Sequence, residues 1–256
     1  MTATIEWSIL LPAFLAGLLV LATHVPLGIQ VLSRGIVFID LAIAQIAGLG
    51  VIGAQLMGFA PHGVGVQLSA VSAALLGSLL LAYADRRWPE VQEALIGVVF
   101  VLAATGGVLL LAHNPHGGEH LKDLLVGQIL WVNLDQLPLA ALVSMVVALL
   151  WFTLRARLGR VGFYILFACA VTVSVQLVGI YLVFASLIVP AMATRRYAAS
   201  KRVGMAYLNG VLAYALGLVI SAVWDLPAGA VIVWAMAALG LVVYGLGPGK
   251  TPEQQA

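Results

Sequence analysis

Residues 161–193 read VGFYILFACAVTVSVQLVGIYLVFASLIVPAMA, without one charged side chain. A helix crosses the hydrocarbon core with about 20 residues and seldom uses more than about 25, so this run is too long for one crossing. Gln176 and Gly179 stand near its middle, where a polar amide and a flexible residue suit a break. The stretch therefore predicts two closely connected helices, 162–177 and 179–193. The direction in which the rest of the chain crosses the membrane depends on that division.

Further apolar runs lie at 8–23, 64–83, 91–112 and 137–154, with the charges confined to short islands between them. A chain of 256 residues with 9% charged side chains and a mean hydropathy of +1.11 could hardly solvate itself as a soluble domain. No sustained polar–apolar alternation marks membrane strands. The fold class is therefore all-α, a polytopic transmembrane bundle of about nine helices. They are expected near 8–24, 37–57, 64–83, 91–112, 137–154, 162–177, 179–193, 206–224 and 227–246. One membrane domain covers 1–249, and 250–256 forms a short polar tail. The first segment lacks a basic leader and reads as a retained helix. Cys169 is the single cysteine, which excludes an intrachain disulfide framework. Among the 27 glycines, Gly48, Gly50, Gly53, Gly204 and Gly210 sit where they would permit close helix contacts.

Basic residues test the division. With nine crossings and an outside N-terminus, Arg34, Arg86, Arg87, the Arg155/Arg157/Arg160 cluster, the Arg195/Arg196/Lys201/Arg202 cluster and Lys250 share one side, leaving Lys122 opposite. That side is expected to be cytoplasmic. Treating 161–193 as one crossing would put the two most basic loops on opposite sides.

A few polar groups within these runs are candidates for function. Asp40 lies early in the second helix, where an unpartnered carboxylate is expensive. It reads either as part of a cation path or as a structural partner of Arg34. Gln45 follows five residues later, about 140° around an ideal helix, so the two need not share a face. It suits either the same path or an interhelical hydrogen bond. Glu93 begins the fourth helix and either faces a pore or favours the helix's positive end. His24 is expected near the inner end of the first helix, as a cation ligand or as a boundary histidine.

On the outer side, His62 and the run HNPHGGEH at 113–120 offer imidazoles suited to zinc and related metals, with His113, His116 and His120 as candidate ligands. Ordinary surface structure is the competing reading. The stretch 124–132 is apolar for a connector and predicts a short interfacial helix anchored by Trp131. On the inner side, Arg195, Arg196, Lys201 and Arg202 suit either a cytosolic partner or anionic headgroups. Pro190 limits continuation of the helix before them. The sequence has no GxGxxG or GxxxxGK[ST] fingerprint, so an ATP-driven function requires another chain. Neither a Ser/His/Asp constellation nor an HExxH motif points to an intramembrane enzyme.

The run 176–191, QLVGIYLVFASLIVPA, together with 34–40 and 93–100, resembles the membrane permease of the ATP-binding-cassette importers for zinc, manganese and iron. The resemblance covers nearly the whole chain. It implies a multi-pass protein of the bacterial inner membrane that carries Zn2+ or Mn2+, with Fe2+ in the same class. It further implies a permease homodimer, a cytosolic ATPase dimer that uses ATP, and an extracytoplasmic metal-binding protein. Membrane lipid is an expected contact and nucleic acid is not. Asp40 corresponds to the family's pathway aspartate. Many members place Ser-His shortly after it, whereas this chain has Ile43-Ala44 and then Gln45. The alternative is a structural or accessory membrane subunit without its own metal path.

Overall fold

The computed structural model describes residues 7–60, 63–112, 114, 117–154 and 157–248; the tail at 250–256 lies outside them. The described residues form ten α-helices joined by short turns, with no strand. In chain order these are α1 (Trp7–Arg34), α2 (Ile39–Leu56), α3 (Val64–Arg87), α4 (Gln92–Leu111), α5 (Gly117–Val126), α6 (Leu137–Leu154), α7 (Gly159–Val178), α8 (Ile180–Ala193), α9 (Ala199–Trp224) and α10 (Ala228–Leu246). Eight of them, all but α5 and α8, are long and apolar enough to cross a membrane. The core is made where α1, α7 and α8 lie against α2, α9 and α10, and holds Tyr164, Phe163, Phe167 and Tyr214 almost wholly buried.

Two helices run farther than hydropathy predicts. α1 was expected to end at 24 but continues through Pro26 to Arg34. Proline removes the N–H that would serve the carbonyl four residues earlier, here Ala22. The hydroxyl of Tyr207 in α9 donates to that carbonyl at 3.0 Å, so the helix passes the proline without an orphaned acceptor. α9 starts at Ala199 rather than 206, which places Lys201 and Arg202 in its first turns and shortens the inner loop to 194–198.

The division of 161–193 stands. Gly179 adopts φ 81°, ψ 163°, a conformation open essentially to glycine alone, and its N–H closes α7 on Val175 O at 2.8 Å. With 14 residues α8 is about 21 Å long, short of the roughly 30 Å hydrocarbon core. The space beyond its start is filled by α5. Gly127, which ends α5 at φ 70°, lies against Gly179 so closely that a Cβ on either would overlap the other's backbone. Leu124 reaches Gly48 in α2, and the Val126 carbonyl lies under Gly229 at the start of α10.

The segment expected to be a surface helix at 124–132 is thus a different object. The helix is earlier, at 117–126, and packs inward. A 3-10 turn at Ile129–Trp131 then leads out, with Ile129 buried and Trp131 exposed. Non-helical backbone is tolerated at such depth because it is enclosed by protein. Of the glycines singled out, Gly50 and Gly210 do sit at close helix contacts, against Ser69 O and Leu21, whereas Gly53 and Gly204 face open space.

The basic ends come together. Arg160 Nε lies 3.2 Å from Asp85 Oδ2 and its Nη1 donates to Asp85 O at 2.8 Å. Arg34 lies over the Phe163 ring at 4.1 Å, and Gln92 donates to the Tyr164 hydroxyl. These contacts gather the C-terminal ends of α1 and α3 with the starts of α4 and α7. The Phe38 and Phe184 rings stack, linking this group to α8, whose end is tied to α10 by Tyr197 OH donating to Val243 O at 2.8 Å. Every described basic residue expected to be cytoplasmic belongs to this end, and Lys122 lies apart in α5.

Candidate transport path

α2 presents two faces. One, with Ile39, Asp40, Ile43, Ala44 and Ala47, is buried in the bundle. The other, with Leu41, Gln45, Gly48, Leu49 and Ile52, lines a cavity of about 370 Å³ between α2, α4, α5 and α8. Asp40 and Gln45 therefore point apart, as five residues of helix require.

Asp40 is fully buried, and neither carboxylate oxygen has a hydrogen-bond partner among the described residues. The expected partner is engaged elsewhere, since the Arg34 guanidinium rests on Phe163. Asp40 sits in the first turn of α2, where the helix's positive end favours negative charge, but that offsets only about 1 kcal/mol of a much larger burial cost. Phe38, two residues before it, fixes the approach. Its N–H donates to Glu93 Oε1 at 3.3 Å, and its ring stacks on Phe184 of α8 at 6.4 Å and 5°. One Glu93 oxygen thus serves the start of α2, and the other has no partner among the described residues.

Gln45 and Tyr181 supply the polar groups of an otherwise apolar cavity. Tyr181 was not foreseen. The signal was present, since it is the second residue after Gly179 and its ring necessarily leaves the first turn of α8 beside the break.

His24 is not at a helix boundary. Because α1 continues to Arg34, it lies ten residues inside, fully buried. Its Nδ1 is 3.0 Å from Val20 O and 3.0 Å from Thr23 Oγ1, while Nε2 has no partner among the described residues. Both amide atoms of buried Asn209 in α9 are likewise unpartnered. His24, Asp40 and Glu93 are not brought together; no group of three His, Cys, Asp or Glu side chains within metal-binding reach occurs among the described residues. His62, His113 and His116 lie outside those residues. His120 falls within α5, but its side chain is not among those described.

At the inner surface the turn 194–198 joins α8 to α9. Arg195 Nη2 donates to the Tyr244 hydroxyl at 3.1 Å, and the guanidinium groups of Arg195 and Arg196 lie 5.2 and 5.1 Å from the Tyr244 ring centre. Thr194 Oγ1 donates to Pro190 O at 2.7 Å, closing the end of α8. Lys201 and Arg202 occupy the start of α9, where positive charge opposes the helix dipole. Their placement there does not serve α9 itself.

The chain matches one known family along almost its full length. The pattern of the ABC 3 transport family matches residues 6–163 and 153–246. The chain belongs to the ABC 3 transport family. It is a multi-pass permease subunit of the bacterial inner membrane. Among curated proteins, it is 26% identical to the high-affinity zinc uptake system membrane protein ZnuB of Haemophilus influenzae over 89% of this chain and 93% of that one. Its fold is shared with PsaBC from Streptococcus pneumoniae, solved in complex with Fab, at a TM-score of 0.75 and 20% identity, covering 97% of this chain and 94% of the other. A metal-chelate type ABC transporter in an inward-facing conformation gives a TM-score of 0.71 at 19% identity, covering 92% and 86%.

Proposed function

We propose that this chain is the membrane permease of an ATP-driven importer of divalent transition metal, with zinc as the cargo and manganese as the nearest competitor. It acts as a homodimer, energised by a separate cytosolic ATPase dimer and supplied by an extracytoplasmic metal-binding protein. The observation that carries this reading is Asp40, a fully buried carboxylate with no partner among the described residues, in the first turn of a helix whose other face lines a cavity. Such a group inside a membrane protein marks a route for cations. The zinc uptake function named for the Haemophilus relative supports the choice of metal.

Two of these partners can be assigned a surface under this reading. The turn 194–198 and the start of α9 offer Arg195, Arg196, Lys201 and Arg202 to an acidic cytosolic surface. Displacement of that turn pulls directly on α8, and through the Phe184–Phe38 stack on α2 and Asp40. Gln176, Tyr181 and Met192 are isolated exposed side chains on the otherwise largely buried α7 and α8, points of mixed polarity suited to contact with a second copy. In a two-fold dimer the cavities and their Gln45 and Tyr181 groups then flank one central passage. Reconstitution of the chain with its ATPase in vesicles, with zinc and manganese flux measured in parallel, tests the reading. ATP-dependent zinc flux supports it. Flux that appears only when another permease is added favours the accessory-subunit alternative.

A further inference from the structure

The inner ends of α3 and α7 carry a charged pocket that the transport reading leaves unused. At the inner ends of these helices a surface pocket of about 540 Å³ is lined by Arg86, Leu158, Gly159, Arg160 and Val161. Arg86 is exposed and makes no hydrogen bond or ion pair among the described residues. Arg160 is held on one edge only: Nε faces Asp85 Oδ2 at 3.2 Å and Nη1 donates to Asp85 O at 2.8 Å, so Asp85 fixes the guanidinium while Nη2 remains available. Beside it Tyr83 meets Trp88 edge to face, and Arg87 lies over Trp88, the amphipathic aromatic arrangement of a membrane–water boundary.

Along α3 toward Arg86 the outward surface is apolar, with Leu76, Leu79, Leu80 and Tyr83 exposed, a surface that hydrocarbon chains would cover. A pair of arginines at headgroup depth beneath an acyl-facing surface is suited to one class of ligand, a phosphate ester attached to hydrocarbon. We propose that Arg86 and Arg160 form a binding site for the phosphate of an anionic phospholipid on the cytoplasmic leaflet. Asp85 acts as the positioning residue that presents Arg160 to it.

The test uses the full chain in phosphatidylcholine nanodiscs, with the association of spin-labelled phosphatidylglycerol measured against spin-labelled phosphatidylcholine. Arg86→Gln and Arg160→Gln are each expected to lower phosphatidylglycerol affinity about fivefold and leave phosphatidylcholine unaffected. Should Arg160→Gln fail to assemble because Asp85 loses its partner, Arg86→Gln alone decides. Unchanged phosphatidylglycerol affinity in Arg86→Gln overturns the proposal. Displacement of the labelled lipid by an equal concentration of inorganic phosphate overturns it in favour of a soluble anion. Loss of ATPase affinity with lipid association intact overturns it in favour of partner docking.

Discussion

Tyr207 of α9 donates its hydroxyl to the carbonyl of Ala22 in α1 across 185 residues of sequence, and that carbonyl is the one Pro26 leaves without a helical partner. The two facts form a single device, a kink-prone residue and the remote donor that makes it tolerable. Tyr207→Phe should cost about 0.5–1.5 kcal/mol in reversible unfolding from detergent. In a Pro26→Ala background, where the backbone supplies its own donor, the same substitution should cost much less. Equal costs in the two backgrounds would break the link.

Gly179→Ala is expected to destabilise the protein by at least about 1–3 kcal/mol, since its φ and ψ suit glycine and its Cβ would strike Gly127. Gly53→Ala, in open space on α2, should be neutral or gain up to about 1 kcal/mol. Thermal melts of the two variants, compared with the parent chain, check both. A Gly179→Ala protein as stable as Gly53→Ala would mean that the α7–α8 break is not fixed by this contact.

For Asp40→Asn the signs of the effects on function and stability are opposed. Metal flux should fall about tenfold or more, as the loss of roughly 1.4 kcal/mol of cation stabilisation implies. Stability should hold or rise, because an amide of the same size replaces a buried carboxyl group that has no hydrogen-bond partner among the described residues. Flux and melting temperature are measured on the same preparation. A strongly destabilised variant would identify Asp40 as a structural group instead.

Glu93 separates two roles by substitution. Glu93→Ala removes the acceptor of the Phe38 N–H and should cost about 1 kcal/mol, whereas Glu93→Gln keeps a carbonyl in reach and should retain nearly full stability and flux. Loss of flux in a stable Glu93→Gln protein would show that the carboxylate charge itself handles the cation.

Reversal of Arg195 and Arg196 to Glu should weaken coupling to the ATPase, read as lower stimulated ATP hydrolysis at unchanged insertion. Tyr244→Phe, which keeps the ring beneath both guanidinium groups and removes one hydrogen bond, should have a smaller effect. If the double reversal disturbs the protein only in anionic membranes, the turn is a lipid contact.

The sequence revealed the crossings far better than their ends. Long apolar runs and the charge islands between them set the helices and put the basic residues at one end, because hydrocarbon thickness and headgroup charge act on composition directly. The end of α1 was missed because Pro26 and His24 resemble a terminus until a donor from α9 is known. The inward course of α5 was hidden for a related reason: its role depends on Gly127 meeting Gly179, a contact between distant residues that no local pattern encodes. At the site, the divergence of Asp40 and Gln45 followed from helix geometry alone. The occupation of Arg34 by Phe163, and the service of Glu93 to Phe38, required the fold.

The seat of α5 also bears on how the protein is made. Val126 and Gly127 leave the ribosome well before Gly179, and about 100 residues before Gly229, against which the Val126 carbonyl finally rests. At roughly 5–20 residues per second, translation keeps this segment without its complete seat for about 5–20 s. α5 packs mainly on α4, α7 and α8, so most of its seat forms once α8 is in place, and α10 completes it by bringing Gly229 against the Val126 carbonyl.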